Sequence, residues 1–163
     1  MFKKIVSVTA LAIAILSPSL VLAADDARAG IHITANIPNK QFHVMPRDPE
    51  FGKDEVMHLN PVTRYLSPVR QMFDVKNIDG SVHAYVEGPT DLLGRYPIPV
   101  FVTFNDVLLY HLPQEVVDDA ASTPGTTAEM YIFAPFPVTP LQSGLYVSQF
   151  TVVFDAVPRV ASL

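Results

Sequence analysis

The chain has 163 residues, 49% of them apolar and 17% charged, with a formal net charge of −5. That balance excludes both a solvated disordered chain and a membrane bundle. There is no cysteine, so disulfides, thiolate catalysis and Cys-ligated zinc are excluded as well.

At the amino terminus Lys3 and Lys4 precede a largely apolar run over residues 5–16. Ser17-Pro18-Ser19 interrupts it, and Val21-Leu22-Ala23 supplies the −3 and −1 positions of a signal-peptidase site. The run is shorter than the roughly 20 apolar residues of a membrane span. Residues 1–23 are therefore expected to be a signal peptide. Loss of Lys3 and Lys4 with it takes the net charge from −5 to −7 and leaves a chain the size of one domain. An acidic exported domain with no Lys/Arg cluster carries no electrostatic footprint for nucleic acid or an anionic membrane. Small exported folds often depend on disulfides, so this one must be held by its core or by a partner.

Period-2 alternation dominates the rest of the chain. Ile31, Ile33, Ala35 and Ile37 alternate with His32, Thr34 and Asn36 until Pro38-Asn39 stops the run, and Phe42 and Val44 continue after it. Residues 69–75 alternate up to the turn Asn77-Ile78-Asp79-Gly80, and Val82, Ala84 and Val86 share one face beyond it. Residues 98–104 and 107–110 flank Asn105-Asp106, a pair suited to a tight hairpin. Residues 130–134 form a further short strand. In the last, residues 145–157, Tyr146, Phe150, Val152 and Phe154 make one apolar face. Only residues 114–121 read as helical. Fourteen prolines after Ala23, clustered in connections, argue against helix interiors. About seven strands in one domain fit a β-sandwich of immunoglobulin-like type.

The five histidines are scattered, and no HExxH is present. Asp118-Asp119 with Glu115 is the tightest acidic cluster, more readily a solvated loop than an acid/base pair or a cation seat. The chain has no calcium-loop pattern, no Gly-x-Ser-x-Gly elbow and no glycine-rich phosphate cradle. No residue recommends an enzyme, and no cofactor or metal is expected.

The run Ile31-His32-Ile33-Thr34-Ala35-Asn36-Ile37-Pro38 resembles the amino-terminal strand of major subunits of alternate-class (alpha) chaperone–usher fimbriae, the colonization-factor fimbriae and cable pili of Gram-negative bacteria. Gln41-Phe42-His43-Val44-Met45-Pro46 is similar to the next segment in that family, residues 69–86 and 98–104 to its central strands, and Ser143-Gly144-Leu145-Tyr146 to its Gly-x-Tyr carboxyl-terminal strand. The resemblance covers essentially the whole chain after the leader.

It implies an immunoglobulin-like domain over residues 39–163 with one strand missing, and an amino-terminal extension over residues 24–38 that completes the next subunit. Ile31, Ile33, Ala35 and Ile37 would enter the neighbour's groove, with Tyr146, Phe150, Val152 and Phe154 as candidate groove wall or core. The implied partners are identical pilin subunits, a periplasmic chaperone, an outer-membrane usher and a minor tip adhesin. The product is an adhesive fimbria at the cell surface, reached through the periplasm. A subunit on its own is expected to hold the extension detached or folded back into its own groove. Three isoleucines at about 1.5–3 kcal/mol each, plus a smaller alanine term, give roughly 5–10 kcal/mol of burial. Two rivals stand beside this reading. One is a self-contained secreted sandwich that binds, for instance, carbohydrate through Tyr65, Tyr96, Tyr110, Tyr131 or Phe136. The other is an exported hydrolase built on Asp118, Asp119 and a histidine.

Overall fold

The structure, a computed structural model, describes the backbone of residues 26–35 and the whole of residues 41–159. The signal-peptide expectation and the position of Ile37 lie outside the described residues.

Two five-stranded sheets pack face to face. The first has the order β3-β1-β10-β5-β8 and the second β2-β4-β9-β6-β7. Their strands are β1 (Asp26–Ala35), β2 (Phe42–Pro46), β3 (Glu55–His58), β4 (Val69–Asn77), β5 (Gly80–Glu87), β6 (Phe101–Phe104), β7 (Val107–Leu108), β8 (Gln114–Val117), β9 (Thr126–Phe133) and β10 (Val147–Pro158). The alternation read from the sequence is what fills the space between the sheets. Val82, Ala84 and Val86 point in from β5, Ala128, Met130 and Ile132 from β9, and Phe150, Val152 and Phe154 from β10. At the centre Phe104 meets Phe154 at 4.8 Å and Phe73 at 5.4 Å between ring centroids, both edge-on. Edge-to-face pairs of this kind add to what burial alone supplies.

The Asn105-Asp106 pair does turn the β6–β7 hairpin. Both residues have positive φ, the backbone that a two-residue type I′ connection requires. The helical expectation for residues 114–121 is corrected. Gln114–Val117 is a strand paired with β5, with Val116 and Val117 buried, and only Asp119–Ser122 (α1) is helical. Two adjacent β-branched residues favour an extended backbone, and the ladder with β5 shifts register between Val82 and His83, where Val116 has no opposite number.

The helix has a fixed task. Asp118 caps it by accepting from Ala121 N at 2.7 Å. Asp119 receives Arg159 Nη2 at 2.6 Å and Nε at 2.9 Å, together with Thr123 Oγ1 at 2.9 Å. The hydrogen bonds from Arg159 and then from Thr123 hold the Asp119 carboxyl below its ordinary range. Because its folded pKa is depressed, its stabilising contribution is complete above the ordinary carboxylate value of about 3.9 and is lost as pH falls through the lower folded value. Melting curves taken across the acid range are expected to show a smaller loss for Asp119→Asn than for the wild type, and identical profiles would remove the claim.

The sandwich has two unlike ends. The connections over residues 59–68, 88–100 and 134–146 gather at one, here the loop pole, since Val138 N donates to Arg64 O at 2.7 Å, Gln142 Nε2 donates to Pro97 O at 3.1 Å, and the bridge Leu93↔Val147 joins the second connection to the start of β10. At the other, the hairpin pole, the turn at residues 77–80 lies beside the start of β2, where Phe42 is opposite Asn77, and the end of β10, where Pro158 is opposite Gly80.

Candidate functional site: the groove between β3 and β10

β1 stands between β3 and β10 and, among the described residues, is the strand that joins them. It runs parallel to β10, in the register Ile31↔Phe150, Ile33↔Val152 and Ala35↔Phe154, and antiparallel to β3, from Asp26↔His58 to Ala29↔Glu55. Here the extension therefore lies in the chain's own groove, one of the two dispositions expected of a lone subunit. Its strand also begins five residues before Ile31, the first residue expected from the alternation. Three of the four candidate donor residues thus occupy register positions opposite the inward residues of β10.

With β1 set aside, the sheet has a gap whose banks are β3 and β10. β1 matches eight positions of β10, from Val147 to Phe154. A rise of about 3.3 Å per residue makes a gap of that span roughly 26 Å long. The wall residues are deeply buried: Phe150 and Tyr146 are 2% exposed, and Val152 and Phe154 are 0%. Tyr146 sits one residue ahead of β10 and not within it. The other bank, β3, carries Met57, also 0% exposed. This bank is not legible in the alternation, because Glu55-Val56-Met57-His58 is four residues long and follows the charged pair Lys53-Asp54. Its one signal is the short apolar pair Val56-Met57 between Glu55 and His58.

Tyr146 is positioned by an absence of side chain. A Cβ on Gly94 would fall inside the van der Waals envelope of the Tyr146 ring, touching three of its carbons. Gly94→Ala must push the ring away from the end of the groove, a change that overpacking data put at about 1–3 kcal/mol. A lowered melting temperature of the isolated subunit is the expected readout, and an unchanged one would mean that the ring has room to move.

The residues of the two rival readings have other occupations. Asp118 and Asp119 hold the α1 cap and the Arg159 pair, and Glu115 on β8 lies 3.9 Å from His83. Among the described residues no group of three His, Cys, Asp or Glu could hold a metal ion. Tyr131 is no open platform, since Arg70 covers it at 4.3 Å and Phe133 stacks on it at 4.9 Å. Tyr65, Tyr96 and Phe136 are exposed at the loop pole, and Tyr110 lies beyond β7.

No curated protein matches the chain. Among solved structures it is similar to that of the CooA pilin subunit from enterotoxigenic Escherichia coli, at 15% identity and a TM-score of 0.43, covering 71% of this chain and 99% of the other. The profile of one family, described as CS1 type fimbrial major subunit, matches residues 27–155, which takes in both the extension and the groove. Spanning most of its length, that match shows that the chain belongs to the CS1 type fimbrial major subunit family.

Proposed function

We propose that this subunit polymerises by giving β1 to a neighbour. As a fimbrial major subunit it is a structural pilin, a repeating unit of a homopolymeric fimbrium at the cell surface. The finer mechanism is strand donation. The extension of one copy leaves its own groove and fills the gap between β3 and β10 of the next, where main-chain ladder bonds give affinity and alternate side chains set register.

The observation that carries this reading is the sheet order β3-β1-β10. The strand that closes the sheet is the amino-terminal one, tied to the rest of the domain only through residues 36–40, so the same segment can close another sheet without unfolding its own domain. Ile31, Ile33, Ala35 and Ile37 are the proposed donor residues, and Tyr146, Phe150, Val152 and Phe154 with Met57 are the proposed acceptor lining. An empty groove exposes two unpaired strand edges, which invites promiscuous pairing. A periplasmic chaperone covering the groove, and an outer-membrane usher exchanging that cover for the next extension, answer this need. Export behind a signal peptide over residues 1–23 and a separate tip adhesin belong to the same reading.

The test is a denaturing gel of the surface fraction, run without and with boiling. Strand exchange predicts a ladder of multimers in the cold lane that collapses to monomer on heating. A single monomer band in both lanes would end the proposal.

A further inference from the structure

We propose that Asn105 and Gln114 decide where an incoming extension can dock, by sealing the side of the sandwich that lies away from the groove. This rests on the strand-donation reading and concerns its specificity.

An extension with alternating isoleucines can pair with any open strand edge, because ladder bonds are made by the main chain. Each copy has edges besides the banks of the groove. β2 and β7 flank the second sheet, and β8 ends the first. β2 is five residues long and closes on Pro46, which has no N–H to give to a ladder. β7 and β8 are the stronger rivals, since they end the two sheets on the same side of the sandwich. Beside β7 a cavity of about 130 Å³ is lined by the core residues Val86, Val100, Val102 and Leu109. A free edge next to an apolar floor is what the groove itself offers, so this side needs a seal.

The seal is made of two side-chain amides. The two-residue turn Asn105-Asp106 makes Phe104 and Val107 the pair that exchanges ladder bonds, so the next pair, Thr103 and Leu108, is not hydrogen-bonded. Leu109 N donating to Val102 O at 2.9 Å shows the alternation resuming one residue later. The Leu108 carbonyl therefore points away from β6 toward the open edge, and there Gln114 Nε2 donates to it at 3.0 Å. On β8 the ladder with β5 passes over Val116, and Asn105 Nδ2 donates to the Val116 carbonyl at 2.7 Å. Each edge thus supplies the amide that occupies an acceptor on the other. Further along, the chain itself closes the seam, with Val86 N donating to Tyr110 O at 2.8 Å.

Both amides are held in place by their backbones. Asn105 has a φ of 50°, a left-handed conformation that asparagine tolerates well, and its own N–H donates to Glu129 O at 2.9 Å. Gln114 opens β8 opposite Ala84. A neutral amide can donate from a half-buried seam without carrying a charge into it.

The probe is a synthetic peptide of residues 24–38 with a benzophenone at its amino terminus. It is mixed with the purified full chain, illuminated, and its cross-links are mapped by mass spectrometry. In the full chain β1 already fills the groove, so the peptide meets the remaining edges. Asn105→Gly keeps the left-handed turn, Gln114→Met keeps the length of the side chain, and each removes the amide. Two hydrogen bonds of ordinary net strength correspond to roughly a tenfold or greater change in edge opening. The double variant is therefore expected to cross-link over residues 105–117 at that factor above the wild type. Gly94→Ala, which loosens the domain elsewhere, should cross-link as the wild type does. Equal labelling of the wild type and a folded double variant would overturn the proposal. So would a rise of the same size in Gly94→Ala, which would trace the labelling to lost stability. If the double variant does not fold, Gln114→Met alone is read by the same criteria. A wild type without the cold-gel ladder would instead sink strand donation, whatever the peptide labels.

Discussion

Ile33→Asp is expected to leave export of the subunit largely intact and to stop fibre growth. Ile33 holds the register position opposite Val152, which is 0% exposed and flanked on its face by Phe150 and Phe154. A carboxylate brought to that position must be desolvated with no cation at hand, which costs several kcal/mol. Since about 1.4 kcal/mol is a tenfold change in an equilibrium, the loss amounts to several orders of magnitude in groove occupancy. The domain from residue 41 onward keeps all of its own core, so the monomer should still fold when its groove is covered in the periplasm. The measurement is the amount of subunit in periplasmic and surface fractions, with the cold-gel ladder as the assembly readout. Ile33→Val, which removes one methylene, should assemble normally. Fibres of ordinary length from Ile33→Asp would refute the donor role.

Deleting residues 24–37 carries the second large effect. It removes the ladder partner of both β3 and β10 at once. If Ile31, Ile33, Ala35 and Ile37 are the donor residues, the burial lost with them is roughly 5–10 kcal/mol, comparable to the entire stability of an ordinary domain, about 5–15 kcal/mol. The truncated protein should therefore aggregate unless a chaperone is co-expressed or the missing strand is supplied as a peptide. A soluble truncated monomer with the melting behaviour of the full chain would show that β1 is an accessory strand.

The sandwich is legible in the sequence because half-buried strands write their burial in period 2. Residues 69–75, 82–86 and 148–154 alternate, and each is buried on the expected face. What escapes that reading has short-range causes. β8 hides its strand character because Gln114 and Glu115 are good helix formers, whereas Val116 and Val117 are decided by the core they enter. β3 is too short for a period to register, although it forms half of the groove. The groove wall residues stand out as a row of aromatic and branched side chains, but a row of inward residues looks the same in a closed sandwich and in an open one. Which strand lies on either side of that row is set by strand order, and strand order is a long-range property that alternation does not encode. The loop pole is hidden for a similar reason, since residues 59–68, 88–100 and 134–146 are tied by hydrogen bonds between distant segments.

The groove spans the domain from end to end, and this has a mechanical consequence. Ladder bonds lie across the strands they join. If β1 is donated as proposed, a tug along the filament would load the positions paired beside β10 together, in shear, where a strand set crosswise would be peeled one bond at a time. A tether of this kind yields abruptly and at high force. That suits a surface thread that must survive flow while still being put together, one unit after another, without any covalent bond.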